Sequence, residues 1–522
     1  MMGLGLRLYG IGFGLPALYR PDEDVVVGRA MGILSGVLDP HFADWPHLYF
    51  FIAALWLAPL RAIGIVSSQA SAYLAVRCLD ALLGAAMVLL LFRFGRQAYG
   101  RTAALIAAAG LTVAFLPVRD SHFATLDVPV TFACLLVLLA ADRLAAASAT
   151  IPVCGALVGL AASIKYSGAL AGAGVAAAQA LRDRAQGVAL SASARRIAGV
   201  AAIAVAFLIL GSPFLLLHPA TTLHGIGYVF YHLERQTAPE VGWLRMPIAL
   251  WYGLDPPLFI LAMGGLALAL ARRTRTDWVI LAFVAATYVL IGSGHSVFFR
   301  YVDPLIPPLL LLGGRVAADG LHRLPSPPLV RAAGLGVLLL LVALPALIHD
   351  VRFDVLIPRT DTRALAYDWM ESHMPEGGLA AVPYLAGGIH DQASVAAGTH
   401  SHGATTLYIA SFLDGRLTTR YRVHDLTPEE LASSSTVGML SALGVRYILI
   451  AYENPALGCS RASPLERALA ASGPPAVSFS PASGCPPAVF DVIDGYYVPV
   501  SGYEGFNRPG PFIRIYALAS PS

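Results

Sequence analysis

Apolar residues fall in long uninterrupted runs over the first two thirds of the chain, then give way to short alternating ones. A bilayer core about 30 Å thick needs about 20 predominantly apolar residues per helix. Runs of that kind are found at residues 4–19, 48–66, 79–94, 102–117, 128–147, 151–181, 197–217, 254–271, 278–292, 304–318 and 329–348. The 151–181 run is broken once, at Lys165. Beyond Val351 the texture changes: strand-like runs at 447–451 and 513–518 accompany a helical pattern over 362–373. The pattern predicts a polytopic α-helical membrane domain over 1–349 and a soluble α/β domain over 350–522. No tandem repeat of about 20–50 residues is visible, which excludes a solenoid.

Positive charge orients the spans, because short cytoplasmic loops are enriched in Lys and Arg. Arginines mark four loops, at 93–101 with Arg143, at 182–196, at 272–275 and at 315–331. With these on the cytoplasmic side, Arg20 and Arg119 share the opposite face only if run 48–66 is interfacial or re-entrant. The expected topology is about eleven spans in the plasma (inner) membrane, with a cytoplasmic N-terminus and an extracytoplasmic C-terminal domain. The first run lacks a basic n-region and a cleavage site, so it reads as a retained anchor.

Composition narrows the function classes. The chain is 57% apolar and 13% charged, against roughly 25% charged in soluble domains, with mean hydropathy +0.67. A formal net charge of +3 gives no reason for a polyanion partner, and nucleic acid is excluded. Lys165 is the single lysine among 35 basic residues. Of the five cysteines, Cys78, Cys134 and Cys154 lie in or beside spans, where a thiol is a small packing residue. Cys459 and Cys485 are the pair available for a disulfide if their domain is extracytoplasmic.

Four places carry chemistry. Arg20-Pro21-Asp22-Glu23-Asp24 follows the first run; the acids suit either a helix start or a general base at the membrane surface. The same loop closes with Trp45-Pro46-His47-Leu48. A second loop on that face runs from Arg119 through His122 to Asp127, where charged groups at a membrane mouth mark function by default. Lys165 sits at the tip of a hairpin, and a compact ammonium suits a phosphate as a point charge. Arg300, ahead of the 304–318 run, is a second cation of that kind. Snorkelling remains open for both cations. In the C-terminal part, Thr399-His400-Ser401-His402 reads as a loop, since further metal ligands are not identifiable.

These motifs, in this order, resemble the GT-C superfamily of membrane glycosyltransferases. They are most similar to the protein O-mannosyltransferases and lipid A aminoarabinose transferases grouped as glycosyltransferase family 39. Asp22-Glu23 resembles their first-loop acidic pair, and Trp45-Pro46-His47-Leu48 their loop-closing motif. The 119–127 segment, Ser163-Ile164-Lys165-Tyr166, and Arg300-Tyr301 with Pro304 are similar to three further family segments. Where the family often has Lys or His before the closing Pro, this chain has Trp45; His47 is the substitute.

The resemblance implies sugar transfer from a polyprenyl-phosphate donor to a lipid, glycan or protein acceptor, with inversion. Asp22 would be the base, Glu23 and Asp127 would position acceptor or sugar, and Lys165 and Arg300 would hold the phosphate. His47, Arg119 and His122 would complete the substrate contacts. A divalent cation is compatible with the acidic first loop, but no ligand spacing demands one. A transporter or flippase, or a non-catalytic binder of lipid-linked glycan, is the alternative.

Overall fold

A computed structural model describes residues 1–235, 240–323, 327–383, 419–452, 462–494 and 498–518. The chain forms two compact units. The first comprises Met1–Ile11, Arg29–Leu60 and Ala75–Val351; the second comprises Gly12–Gly28, Arg61–Leu74 and Arg352–Ser522. Two N-terminal segments, Gly12–Gly28 and Arg61–Leu74, thus join Arg352–Ser522 in the second unit.

The helices in chain order are α1 (Met2–Leu8), α2 (Glu23–Leu34), α3 (Leu48–Ala62), α4 (Gln69–Ala98), α5 (Arg101–Thr112), α6 (Phe115–Asp120), α7 (Asp127–Ala145), α8 (Ile151–Ile164), α9 (Gly172–Ala185), α10 (Leu190–Gly211), α11 (Phe214–Leu217), α12 (Pro219–Glu234), α13 (Gly242–Arg272), α14 (Arg275–Gly292), α15 (Ile306–Arg323), α16 (Pro328–Leu356) and α17 (Thr362–His373). Among the described residues, α4, α7, α10, α13, α14 and α16 are long and apolar enough to cross a membrane. The exposed side chains of α10 and α16 include Val205, Leu210, Val337, Leu340 and Leu341, the surface a bilayer covers.

Two expectations change, and the helix at 48–66 is as short as its interfacial or re-entrant reading expects. The 4–19 run is not one helix: α1 stops at Leu8, and Gly10 and Gly14 follow at φ 72° and 69°, which glycine adopts without the Cβ penalty. Run 48–66 yields α3, whose 15 residues fall short of the ~20 a simple span needs. Residues 218–253, expected as a loop, hold α12 and the first half of α13, which kinks at Asp255 (φ 62°, ψ 154°) ahead of Pro256-Pro257.

Small residues bring the helices of the first unit together. Gly155 and Gly159 have the GxxxG spacing on α8, and α10 packs on that face. A Cβ at Gly155 would lie 2.8 Å from Ile203, and one at Gly159 would lie 2.7 Å from Phe207. Helix α15 packs between α5 and α13, with Gly313 and Gly314 at the crossings. The predicted interruption at Lys165 is present. It caps α8 in extended backbone (φ −149°, ψ 135°), and a 3-10 segment, Tyr166–Ala171, leads into α9.

In the second unit a five-stranded sheet has the order β2-β1-β3-β5-β4. Strands β1 (Leu379–Pro383), β2 (Arg422–Leu426) and β3 (Val445–Tyr452) are parallel; β5 (Phe512–Ala517) runs antiparallel to β3 and to β4 (Val477–Phe479). Alternation along the strands serves two cores. Ala380, Val382 and Leu449 pack with Ala366, Met370 and Met374 of α17. On the other face, Ala381, Ile448 and Ile450 pack with Leu440, Leu465 and Leu469. The helix 362–373 and the strands β3 and β5 match the sequence reading closely. Cys485 is disulfide-bonded; Cys459 and the 399–402 segment lie outside the described residues.

Candidate active site

One polar cluster in the first unit is assembled from four places in the sequence. Its frame is the turn between α6 and α7. The buried Asp80 of α4 accepts the Thr125 backbone N–H at 3.1 Å and the Tyr49 hydroxyl from α3. Ser121 Oγ donates to the Pro117 carbonyl at 2.5 Å. A held turn places Asp127 in the first turn of α7, where the helix dipole favours a carboxylate.

Lys165 arrives from the end of α8. Its Nζ lies 2.6 Å from Asp127 Oδ1 and 4.7 Å from the centre of the Tyr301 ring. Because α8 ends there in extended backbone, the side chain reaches into the cluster instead of along the helix wall. Arg300 comes from the 3-10 segment Phe299–Leu305; its Nε is 3.5 Å from Asp127 Oδ2, and its guanidinium lies 4.2 Å from the Phe298 ring centre. The side chains of Lys165, Arg300 and Asp127 are 18%, 8% and 6% exposed. Two cations thus converge on one carboxylate at a sparsely hydrated position, where electrostatic interactions are strong.

Arg119 and Asp120 of α6 pair at 2.7 Å, both buried. Asp303, on the same segment as Arg300, is a member the sequence reading missed; the only signal was an acid directly before Pro304 at the head of an apolar run. It is 1% exposed, and neither of its oxygens has a hydrogen-bond donor. Burial, with the carboxylates of Asp120 and Asp127, holds its carboxyl well above the usual carboxylate range, against the lowering influence of Arg119.

The other predicted residues are placed elsewhere. His122 is buried, with Nδ1 at 3.0 Å from the Val118 carbonyl and Nε2 at 3.0 Å from that of Tyr9. Burial lowers its pKa to about 4 and outweighs those carbonyls. His47 is buried too: its N–H donates to Ser212 Oγ at 2.8 Å, its Nε2 is 2.6 Å from the Phe42 carbonyl, and burial lowers its pKa. Its neighbours include Phe50 and Phe214.

Asp22 and Glu23 belong to the second unit. Asp22 has φ 75°, and its carbonyl accepts the Val26 N–H at 3.4 Å as α2 begins. Glu23 is fully buried. Within that unit, the segment is anchored by a buried Arg20–Asp494 ion pair and by the Arg363 guanidinium 4.1 Å over the Tyr19 ring. Among the described residues, no group of three His, Cys, Asp or Glu side chains is arranged to hold a metal ion.

Residues 62–217 match the family model for dolichyl-phosphate-mannose-protein mannosyltransferase. No curated protein matches the chain significantly in sequence. Among solved structures, the oligosaccharyltransferase AglB of Archaeoglobus fulgidus, in complex with an inhibitory peptide and a dolichol-phosphate, superposes with a TM-score of 0.51 at 12% identity. That match covers 90% of this chain and 71% of AglB. ArnT from Cupriavidus metallidurans in the apo state superposes with a TM-score of 0.50 at 18% identity, covering 87% of this chain and 93% of ArnT. This chain therefore shares its fold with AglB and ArnT, and its residues 62–217 are similar to the dolichyl-phosphate-mannose-protein mannosyltransferase family model.

Proposed function

We propose that this protein transfers a sugar from a polyprenyl-phosphate-linked donor to a hydroxyl of a lipid, glycan or protein acceptor, with inversion at the anomeric carbon. The observation that carries the reading is the convergence of Lys165 and Arg300 on Asp127. A phosphate leaving group needs cations where its charge develops. Asp127 holds both cations in place while the donor is absent and hands part of their charge to the phosphate when it arrives. The binding of dolichol-phosphate by AglB, which has the same fold, supports a lipid-phosphate ligand.

In the transfer step the acceptor O–H gives its proton to the Asp22 carboxylate as its oxygen bonds to the anomeric carbon. The bond from that carbon to the phosphate oxygen breaks, and polyprenyl phosphate leaves with the electron pair. Asp22 is supported by its backbone: a non-glycine residue at φ 75° costs about 1–3 kcal/mol, and such strain collects at functional positions. The same reading puts about eleven spans in the plasma (inner) membrane, with the N-terminus cytoplasmic and residues 350–522 on the other face.

The test uses purified full-length protein in sealed lipid vesicles with labelled polyprenyl-phosphate sugars. Transfer product is expected from wild type, and Asp22→Asn should reduce it by about 10²–10⁴-fold without loss of folded protein. Label that crosses vesicles without transfer would replace this reading with transport; an active Asp22→Asn would remove Asp22 as base.

A further inference from the structure

Asp303 and Asp120 present a problem that the transfer mechanism does not resolve. Both are 1% exposed. Asp120 Oδ1 accepts from Arg119, but Asp120 Oδ2 and both oxygens of Asp303 have no donor. An ionised carboxylate is acceptor-only, and burying one without a partner is expensive. The 299–305 segment that carries Asp303 packs against α6, where Asp120 sits, and the Asp120 carboxylate acts on Asp303. A single proton between them turns two orphaned acceptors into a donor and an acceptor, as in other buried carboxyl pairs.

We propose that Asp303 and Asp120 share one proton, and that this proton sets the net charge of the cluster that receives an anionic lipid headgroup. The cluster contains three cations, Arg119, Lys165 and Arg300, and three carboxyl groups, Asp120, Asp127 and Asp303. With the proton in place the cluster is one unit more positive than without it. His122 adds no charge near neutral pH, because burial keeps it unprotonated. Also packed against the 299–305 segment is Arg245 of α13, 5.0 Å over the Phe299 ring, and Glu240 faces it at 3.4 Å.

The sign follows from the direction in which burial and the neighbouring carboxylates push Asp303, towards holding its proton. With the proton in place the cluster favours an anion. As pH rises through the pair's titration the proton leaves, that unit of positive charge disappears, and anion affinity falls. Asp303 and Asp120 are thus positioning residues, acting on the headgroup through the charge that Lys165 and Arg300 present. The effect on headgroup binding rests on the donor reading above; the shared proton does not.

Two measurements on full-length protein in nanodiscs test this. Infrared difference spectra of wild type against Asp303→Asn should show a protonated-carboxyl C=O band, sensitive to deuterium, that the variant lacks. Binding of polyprenyl phosphate should weaken with rising pH in wild type, by up to about tenfold per pH unit. It should be flat with pH in Asp303→Asn, whose amide N–H takes the place of the acid's O–H as donor. Absence of the band overturns the shared proton. A variant that keeps the wild-type pH dependence, or a wild type that binds equally at all pH values, overturns the charge-setting role. A band with no binding of polyprenyl phosphate at any pH sinks the donor reading and leaves the shared proton standing.

Discussion

The two ends of the helical unit both bury aspartates among cations, yet they are built to different standards. At the arginine-bearing end, Asp277 accepts from Arg315 at 2.6 and 2.8 Å, from the Tyr99 hydroxyl at 2.6 Å and from the Thr274 N–H at 2.8 Å. Asp142 accepts from Gln97 at 3.0 Å and Thr276 at 2.6 Å, with Arg275 at 3.7 Å. Loops near residues 97, 142, 275 and 315 are thereby tied together by side chains alone. At the other end Asp127 has two cations but Asp303 has no donor. A fully satisfied buried network specifies structure. A network left short of donors is a costly arrangement that calls for an explanation, and the proposed lipid-phosphate site and shared proton supply one.

That contrast can be broken first at its stronger end. Replacing Asp277 with Ala strands Arg315 and should cost about 3–5 kcal/mol of stability, read as a lowered unfolding midpoint in detergent. The folded fraction should keep its transfer activity. At the other end, Lys165→Ala or Arg300→Ala should leave the midpoint nearly unchanged while transfer falls by about 10²–10³-fold, the scale for losing one preorganised charge donor. If Asp277→Ala lost activity without stability, or Lys165→Ala the reverse, the two ends would have been assigned the wrong way round.

A smaller effect tests the packing that holds Lys165 at its break. Gly159→Leu on α8 would push into Phe207 and neighbouring backbone of α10 and should cost about 1–3 kcal/mol. Its activity loss should follow the loss of folded protein, since the cluster is untouched.

A separate effect is the pH response of His122. Its folded pKa of about 4 lies below the ordinary value near 6.5, so the unfolded chain binds the proton more readily. Stability is full above about 6.5 and is lost as pH falls towards 4. Thermal melts of wild type should show this slope, and His122→Gln should flatten it.

Much of the helical unit was legible in the sequence because a bilayer demands continuous apolar runs, and these leave an unmistakable pattern. The break at Lys165 was visible for the same reason, as one polar residue in a long apolar run. The arginine loops were legible through charge alone, and several of them do meet at one end of the unit. The α12 helix and the first half of α13 were missed, because Pro, Gly and His interrupt their apolar pattern at 218–253. In the second unit, β3 and β5 announced themselves as β-branched and aromatic runs, whereas β1 (Leu379–Pro383) and β2 (Arg422–Leu426) are too short and mixed to stand out.

By itself the sequence determined the membrane-embedded class, the place of the helix break and the residue types available for phosphate chemistry. Those depend on local composition and on nearest neighbours along the chain. Only the tertiary structure decided that Lys165 and Arg300 share Asp127, that Asp303 faces Asp120, and that residues 12–28 join the C-terminal unit through Arg20 and Asp494. These pairings join residues distant along the chain, and no periodicity of a single helix or strand encodes which charge will meet which.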